Sequence, residues 1–191
     1  MIHTSKQLKD KVRNISHGDN EIAQTMIRCF IMERFLERIS LSGYKNNFIL
    51  KGGMLVASLV GIDMRATMDI DTTVRSLPLK EEDTLRIIQE IIDIQIEDGI
   101  RFAIVKVTRI MTDFEYPGIR IVLEARLDRL KQRIKIDLST DDVITPSAIR
   151  YHYRLMFEHR DIELMSYTPE TLLAEKIQTI LARGITTTRM R

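Results

Sequence analysis

Lys51-Gly52-Gly53, followed by Arg65-Ala66-Thr67-Met68-Asp69-Ile70-Asp71, is the stretch on which the reading of this 191-residue chain turns. Phe48 to Leu50 is a short apolar run with the character of a strand. It enters the diglycine, and Met54 to Val60 then reads as a short helix ended by Gly61. A strand that passes into a helix through two glycines can bring backbone N–H groups close to phosphates. Asp69 and Asp71 lie within Met68 to Val74, a second predicted strand. Their spacing of two puts both carboxylates on one face and Ile70 on the other. Carboxylates held side by side repel each other. A site that keeps them together usually supplies a cation, and ligands of this kind suit Mg²⁺ bridging to substrate phosphates.

Outward from this stretch the elements alternate. Thr4 to Ile15 reads as a short polar helix, and His17-Gly18-Asp19-Asn20 breaks it, with Asp19 or Asn20 as the next cap. From Glu21 to Ile39 apolar residues recur at helical spacing: Ile22, Met26, Ile27, Phe30, Ile31, Phe35 and Ile39. Lys80 to Glu97 repeats the pattern with Leu85, Ile88, Ile91, Ile92 and Ile96, and Gly99 ends it. Ile100 to Met111, Gly118 to Leu127 and Arg133 to Ser139 read as strands. Tyr116-Pro117-Gly118 joins the first two as a hairpin. A ragged stretch with Tyr151 and Tyr153 follows. Thr168 and Pro169 then open a helix through Leu172, Leu173, Lys176, Ile177 and Ile180, which Gly184 stops. The order predicts a mixed α/β sheet with helices on its faces.

Within Arg133 to Leu138 the alternation is clean. Ile134, Ile136 and Leu138 face one way; Arg133, Lys135 and Asp137 face the other. Taken alone, Asp137 reads as half of a surface ion pair. Beside Asp69 and Asp71 it gains another meaning. Three carboxylates on adjacent strands can hold metal ions and orient an in-line attack on phosphorus.

Bulk properties set the bounds. Hydrophobic residues make up 44% of the chain, enough for a core, so wholesale disorder is excluded. The 29 basic and 27 acidic residues nearly cancel, to a net charge of +2, so overall charge does not mark a nucleic-acid binder. The single cysteine, Cys29, excludes an intramolecular disulfide and sits in an apolar helical run as an inert thiol. The four histidines show no metal-ligand spacing, and the ten methionines read as core filler. No apolar run approaches membrane-spanning length and no signal peptide opens the chain, so a soluble cytoplasmic protein with no membrane partner is expected.

Four motifs in order carry a resemblance. Phe48-Ile-Leu-Lys-Gly-Gly-Met54, Arg65-Ala-Thr-Met-Asp-Ile-Asp71, Ile134-Lys-Ile-Asp137 and Leu173-Ala-Glu-Lys176 together resemble the AbiEii/AbiGii toxin family. These are the nucleotidyltransferase toxins of abortive-infection (type IV) toxin–antitoxin systems, within the polymerase-beta-like superfamily. The resemblance implies a nucleotidyltransferase-like mixed sheet flanked by helices over residues 1–150. It implies the beginning of a helical C-terminal domain over residues 151–191. Gly52 and Gly53 would cradle an NTP triphosphate, with Lys51 at the border of the turn. Asp69, Asp71 and Asp137 would hold Mg²⁺, and Asp137 would accept the proton of the attacking hydroxyl. Lys176 would reach the phosphates, and Arg65 and Thr67 would support the acidic strand. The implied reaction moves a nucleoside monophosphate onto an RNA acceptor, the 3′ end of tRNA, with a cognate antitoxin as partner.

The chain departs from the pattern twice. Met54 stands where the superfamily has Ser or Thr. The chain also ends at Met190-Arg191, where the family continues into an acidic motif, which reads as a truncation. A second reading is therefore a catalytically impaired remnant that binds nucleotide, RNA or antitoxin without turnover.

Overall fold

The computed structural model describes residues 1–60, 69–77, 80–110, 118–140 and 144–183. Its elements run α1 (Ser5–Ser16), α2 (Asn20–Leu41), β1 (Phe48–Lys51), α3 (Gly52–Val60), β2 (Asp69–Val74) and α4 (Glu81–Ile92). They continue as β3 (Ile100–Ile110), β4 (Gly118–Leu127), β5 (Leu130–Ser139), β6 (Ile149–Arg154), β7 (Asp161–Ser166) and α5 (Pro169–Arg183). The strands form one mixed seven-stranded sheet in the order β3-β4-β5-β2-β1-β7-β6. This is the mixed α/β architecture expected from the sequence.

Local chemistry sets the helix starts. Thr4 caps α1 in a reciprocal box with Gln7. Asp19 caps α2 by accepting from the N–H groups of Glu21 and Ile22. Thr168 accepts from Thr171 N at 3.2 Å ahead of Pro169, the first residue of α5. The glycines of the motif form the first turn of α3 rather than a turn preceding it.

The core lies between α2 and one face of the sheet. Phe30, Ile31, Phe35 and Ile39 of α2 are buried with Leu50, Ile70, Ile121, Leu123, Ile134 and Ile136 of the strands. Cys29 is buried here too, and burial raises its thiol to about 11, as an inert thiol requires.

Three expectations are corrected. α4 stops at Ile92 rather than Glu97. Beyond it Asp98 is buried in a two-pronged pair with Arg38, at 2.7 and 3.0 Å, and also accepts from Ile100 N. Fixing that carboxylate turns the chain before Ile96 can complete another helical turn. The stretch around Tyr151 and Tyr153 is not ragged, for β6 and β7 pair antiparallel from Ile149↔Ser166 to Arg154↔Asp161. β6 and β7 thereby join the same sheet as β1 to β5, and α5 follows them. Finally, β5 begins at Leu130, so β4 and β5 are joined by Asp128-Arg129 alone, with Leu127 opposite Leu130. Asp128 takes the left-handed conformation there (φ 50°), one an aspartate tolerates.

β3 and β4 pair antiparallel as expected, although the turn at Tyr116-Pro117 lies outside the described residues. Their register shifts between Ile104 and Lys106, which leaves Val105 as an extra, exposed residue on the sheet edge. Among the described residues no helix is long and apolar enough to cross a membrane.

Candidate active site

β2 lies at the centre of the site. It pairs parallel with β5, with Asp69 opposite Lys135 and Asp71 opposite Asp137. It pairs antiparallel with β1, with Lys51 opposite Asp71. β4 adds Arg120 opposite Asp137. Pairing partners project to the same side of a sheet. Lys51, Asp71, Asp137 and Arg120 therefore form one charged row across four strands, and Asp69 stands one step along on the same face.

The diglycine closes on this row. Gly52 has φ 70°, and a Cβ built on it would lie 1.9 Å from Asp71 Oδ2. The next N–H, of Gly53, donates to the same oxygen at 3.4 Å. Glycine is thus required twice, for its backbone conformation and for the close approach of a carboxylate. The first turn of α3 sits against Asp71 because β1 feeds straight into it.

Asp137 is held by Arg120. The guanidinium Nε and Nη2 donate to Asp137 Oδ1 and Oδ2 at 2.7 and 2.6 Å, a two-pronged charge-assisted pair. The fork pushes the Arg120 guanidinium further up from its already high range, and the charges of Asp69 and Asp71 add to that. Asp71 is pushed up from the usual carboxylate range, first by burial and second by the charge of Asp137. Gly53 N–H, Lys176 and Lys51 pull the other way. Lys135 Nζ stands 3.9 Å from Asp69 Oδ1. On the far side, Lys51 Nζ is 3.3 Å from Glu175 Oε1 and lies over the Tyr167 ring, 5.5 Å from its centroid. A cleft of about 170 Å³ opens over the row, between Lys51, Gly52, Asp71, Asp137 and the α5 residues Lys176 and Thr179.

The sequence-derived residues Lys51, Gly52, Gly53, Asp69, Asp71, Asp137 and Lys176 thus gather at one place, whereas Arg65 and Thr67 lie outside the described residues. Arg120 was missed. Its signal was present: a two-residue connection at Asp128-Arg129 fixes the β4–β5 register and sets Arg120 against Asp137. Glu175 of α5 also enters the site, where it accepts from Lys51.

Three carboxylates on one face are a hard-oxygen donor set of the kind Mg²⁺ prefers. The mutual repulsion felt by Asp71 is what a divalent cation would relieve. Among the described residues, however, no three acidic, histidine or cysteine side chains are grouped closely enough to hold a metal ion as they stand. The two oxygens of Asp137 are turned to Arg120, which supplies the positive charge there.

Known proteins bear on this geometry. Residues 34–191 match the model of the family described as "Nucleotidyl transferase AbiEii toxin, Type IV TA system". Among solved structures, JHP933 from Helicobacter pylori is similar over 81% of this chain and 56% of its own, with 14% identity and a TM-score of 0.50. A second structure, titled as a "putative nucleotidyltransferase" from H. pylori, is similar over 77% and 55%, with 15% identity and a TM-score of 0.47. The chain spans just over half the length of each. No curated protein matches.

Proposed function

Because the chain belongs to the AbiEii nucleotidyl transferase toxin family, we propose that it transfers a nucleoside monophosphate from an NTP to a hydroxyl of an RNA acceptor, the 3′ end of tRNA, releasing pyrophosphate. Its cognate antitoxin is the expected partner. The reading is carried by the charged row across β1, β2, β5 and β4, closed by the first turn of α3 against Asp71.

Each residue then has a task. Asp69 and Asp71, with Asp137, would hold Mg²⁺, which when bound neutralises triphosphate charge and supports the leaving pyrophosphate. Gly52 and Gly53 add no side chain of their own at the α3 N-terminus, where Asp71 lies and a triphosphate would be met. Lys176 and Lys51 lie on the α5 side of the cleft and supply positive charge to the triphosphate. Asp137 faces the acceptor hydroxyl and takes its proton once Arg120 has turned from it.

The experiment is transfer of label from each radioactive NTP to total tRNA, with Asp69→Asn and Asp71→Asn beside the wild type. Both variants should lose transfer, by about a hundredfold to a thousandfold given the usual weight of such electrostatic groups, and keep the wild-type melting profile. Transfer that survives both changes would refute the assignment. The engagement of Asp137 by Arg120 favours a second reading, a module that binds nucleotide, RNA or antitoxin without turnover. It expects NTP or RNA binding and no pyrophosphate.

A further inference from the structure

An acceptor polymer needs a path to Asp137, and the open face of the sheet supplies one. The opposite face of β4 and β5 is core, with Ile121, Leu123, Ile134 and Ile136 fully buried. The open face can be followed row by row away from the carboxylates. The first row is Thr108, Arg120 and Asp137. One step out, Lys106, Val122 and Lys135 stand together beside Asp69. Next comes Ala103, Glu124 and Arg133. The outermost row is Arg101, Arg126 and Lys131, three bases directly across from one another with no acid between.

Apart from the three site carboxylates and the Arg120 and Lys135 that face two of them, this face holds one acid, Glu124, against five bases. Glu124 is shared by Arg126 at 2.8 Å and Arg133 at 4.0 Å. Among the described residues, Arg101, Lys106 and Lys131 have no carboxylate within ion-pairing distance, and all three are exposed. Like charges directly opposite on neighbouring strands destabilise a sheet. The whole chain is nearly neutral, so the excess is a local concentration. Rows lie about 6.7 Å apart along the strands, so the tract reaches about 20 Å from Asp137. It offers few apolar anchors, unlike the core of a protein interface, where lysine is depleted. Bases set at intervals on an exposed surface suit a chain of phosphates.

We propose that the basic face of β3, β4 and β5 binds the sugar–phosphate backbone of the acceptor nucleic acid and leads its reacting end to Asp137. This rests on the nucleotidyl-transfer reading for its direction. Its binding test does not require turnover.

The probe is a fluorescein-labelled tRNA transcript, titrated by anisotropy without NTP or divalent cation across a salt series. The triple variant Arg101→Gln, Arg126→Gln, Lys131→Gln lies far from the carboxylates. It should bind about tenfold or more weakly at low salt, with a log–log salt slope shallower by about 2 to 3. Its melting shift with Mg²⁺ and NTP should equal that of the wild type. Glu124→Gln should bind tRNA more tightly, and decides the matter if the triple variant does not fold. Wild-type affinity and slope in the triple variant, or no gain from Glu124→Gln, would overturn the surface. So would competition by polyglutamate as effective as RNA at equal charge, which would point to an acidic protein partner. Binding of tRNA through these residues with no transfer of label removes the activity and keeps the surface. Transfer with unaltered tRNA binding in the triple variant does the reverse.

Discussion

At Gly52 there is no room for even one methyl group. The position combines a left-handed backbone with an Asp71 carboxylate oxygen 1.9 Å from where a Cβ would stand. Gly52→Ala must strain the backbone and push Asp71 aside. A non-glycine residue there costs about 1–2 kcal/mol for conformation alone, before any clash. We expect a loss of about 2 kcal/mol or more in urea denaturation and no melting shift with Mg²⁺ and NTP. A variant with full stability and a normal shift would mean that Asp71 need not lie against α3. Arg120 presents the opposite case, a residue whose removal should strengthen one property. It neutralises Asp137, so Arg120→Gln leaves Asp71 and Asp137 with more uncompensated charge. Mn²⁺ followed by EPR should bind the nucleotide-free variant more tightly, by about tenfold or about 1.4 kcal/mol. Weaker binding would show that the arginine instead props Asp137 in place for the cation.

At the scale of the element, α2 departs furthest from a sequence reading. Its apolar residues predicted a helix with one buried face, yet Glu33, Arg34, Glu37 and Arg38 are also buried. Arg38 pairs with Asp98. The β6–β7 hairpin explains the first three, because Glu158 and Arg160 between those strands meet Arg34 and Glu37, and Met156 N–H donates to Glu33. The hairpin partners are more than a hundred residues away, so no local pattern announces them. Glu33 is pushed up to about 8, chiefly by burial; the Met156 N–H, the Arg34 charge and the Tyr153 hydroxyl oppose the rise, while the Glu158 charge adds to it. Below about pH 4.5 both folded and unfolded chains hold the proton. Between there and about pH 8 the folded state alone retains it, so each rise in pH favours unfolding. Glu33 should therefore contribute most stability at the acid end of that window and lose it as pH climbs through about 8. Glu33→Gln should flatten the dependence, removing up to a few kcal/mol at about 1.4 kcal/mol per unit. Urea midpoints at about pH 5 and about pH 8 test this; equal slopes in the two proteins would place the titration elsewhere.

Across the whole molecule, the fold class was legible because glycine turns, alternation and helical spacing are local signals. Strand order was not, since β7 inserts beside β1 through pairings distant in sequence. The placing of Asp69, Asp71 and Asp137 on one face was legible from spacing plus family order. Arg120 was not, because clean alternation marks β5 only from Arg133, three residues past its start at Leu130, and the hairpin register depends on that start. One further property belongs to the molecule as a whole. The extra Val105 lets Ile104 pair opposite Leu123 and Lys106 opposite Val122, so both keep their proper faces although two positions separate them in the chain. Removing that residue should leave inside and outside unchanged and yield a straight outer rim. A straight rim is a template on which a second molecule can extend the sheet. Deletion of Val105 should thus give a protein that folds and melts like its parent but clumps as it is concentrated, visible by light scattering. Dispersed, monodisperse behaviour of the deletion at every concentration would show that the kink serves something other than keeping copies apart.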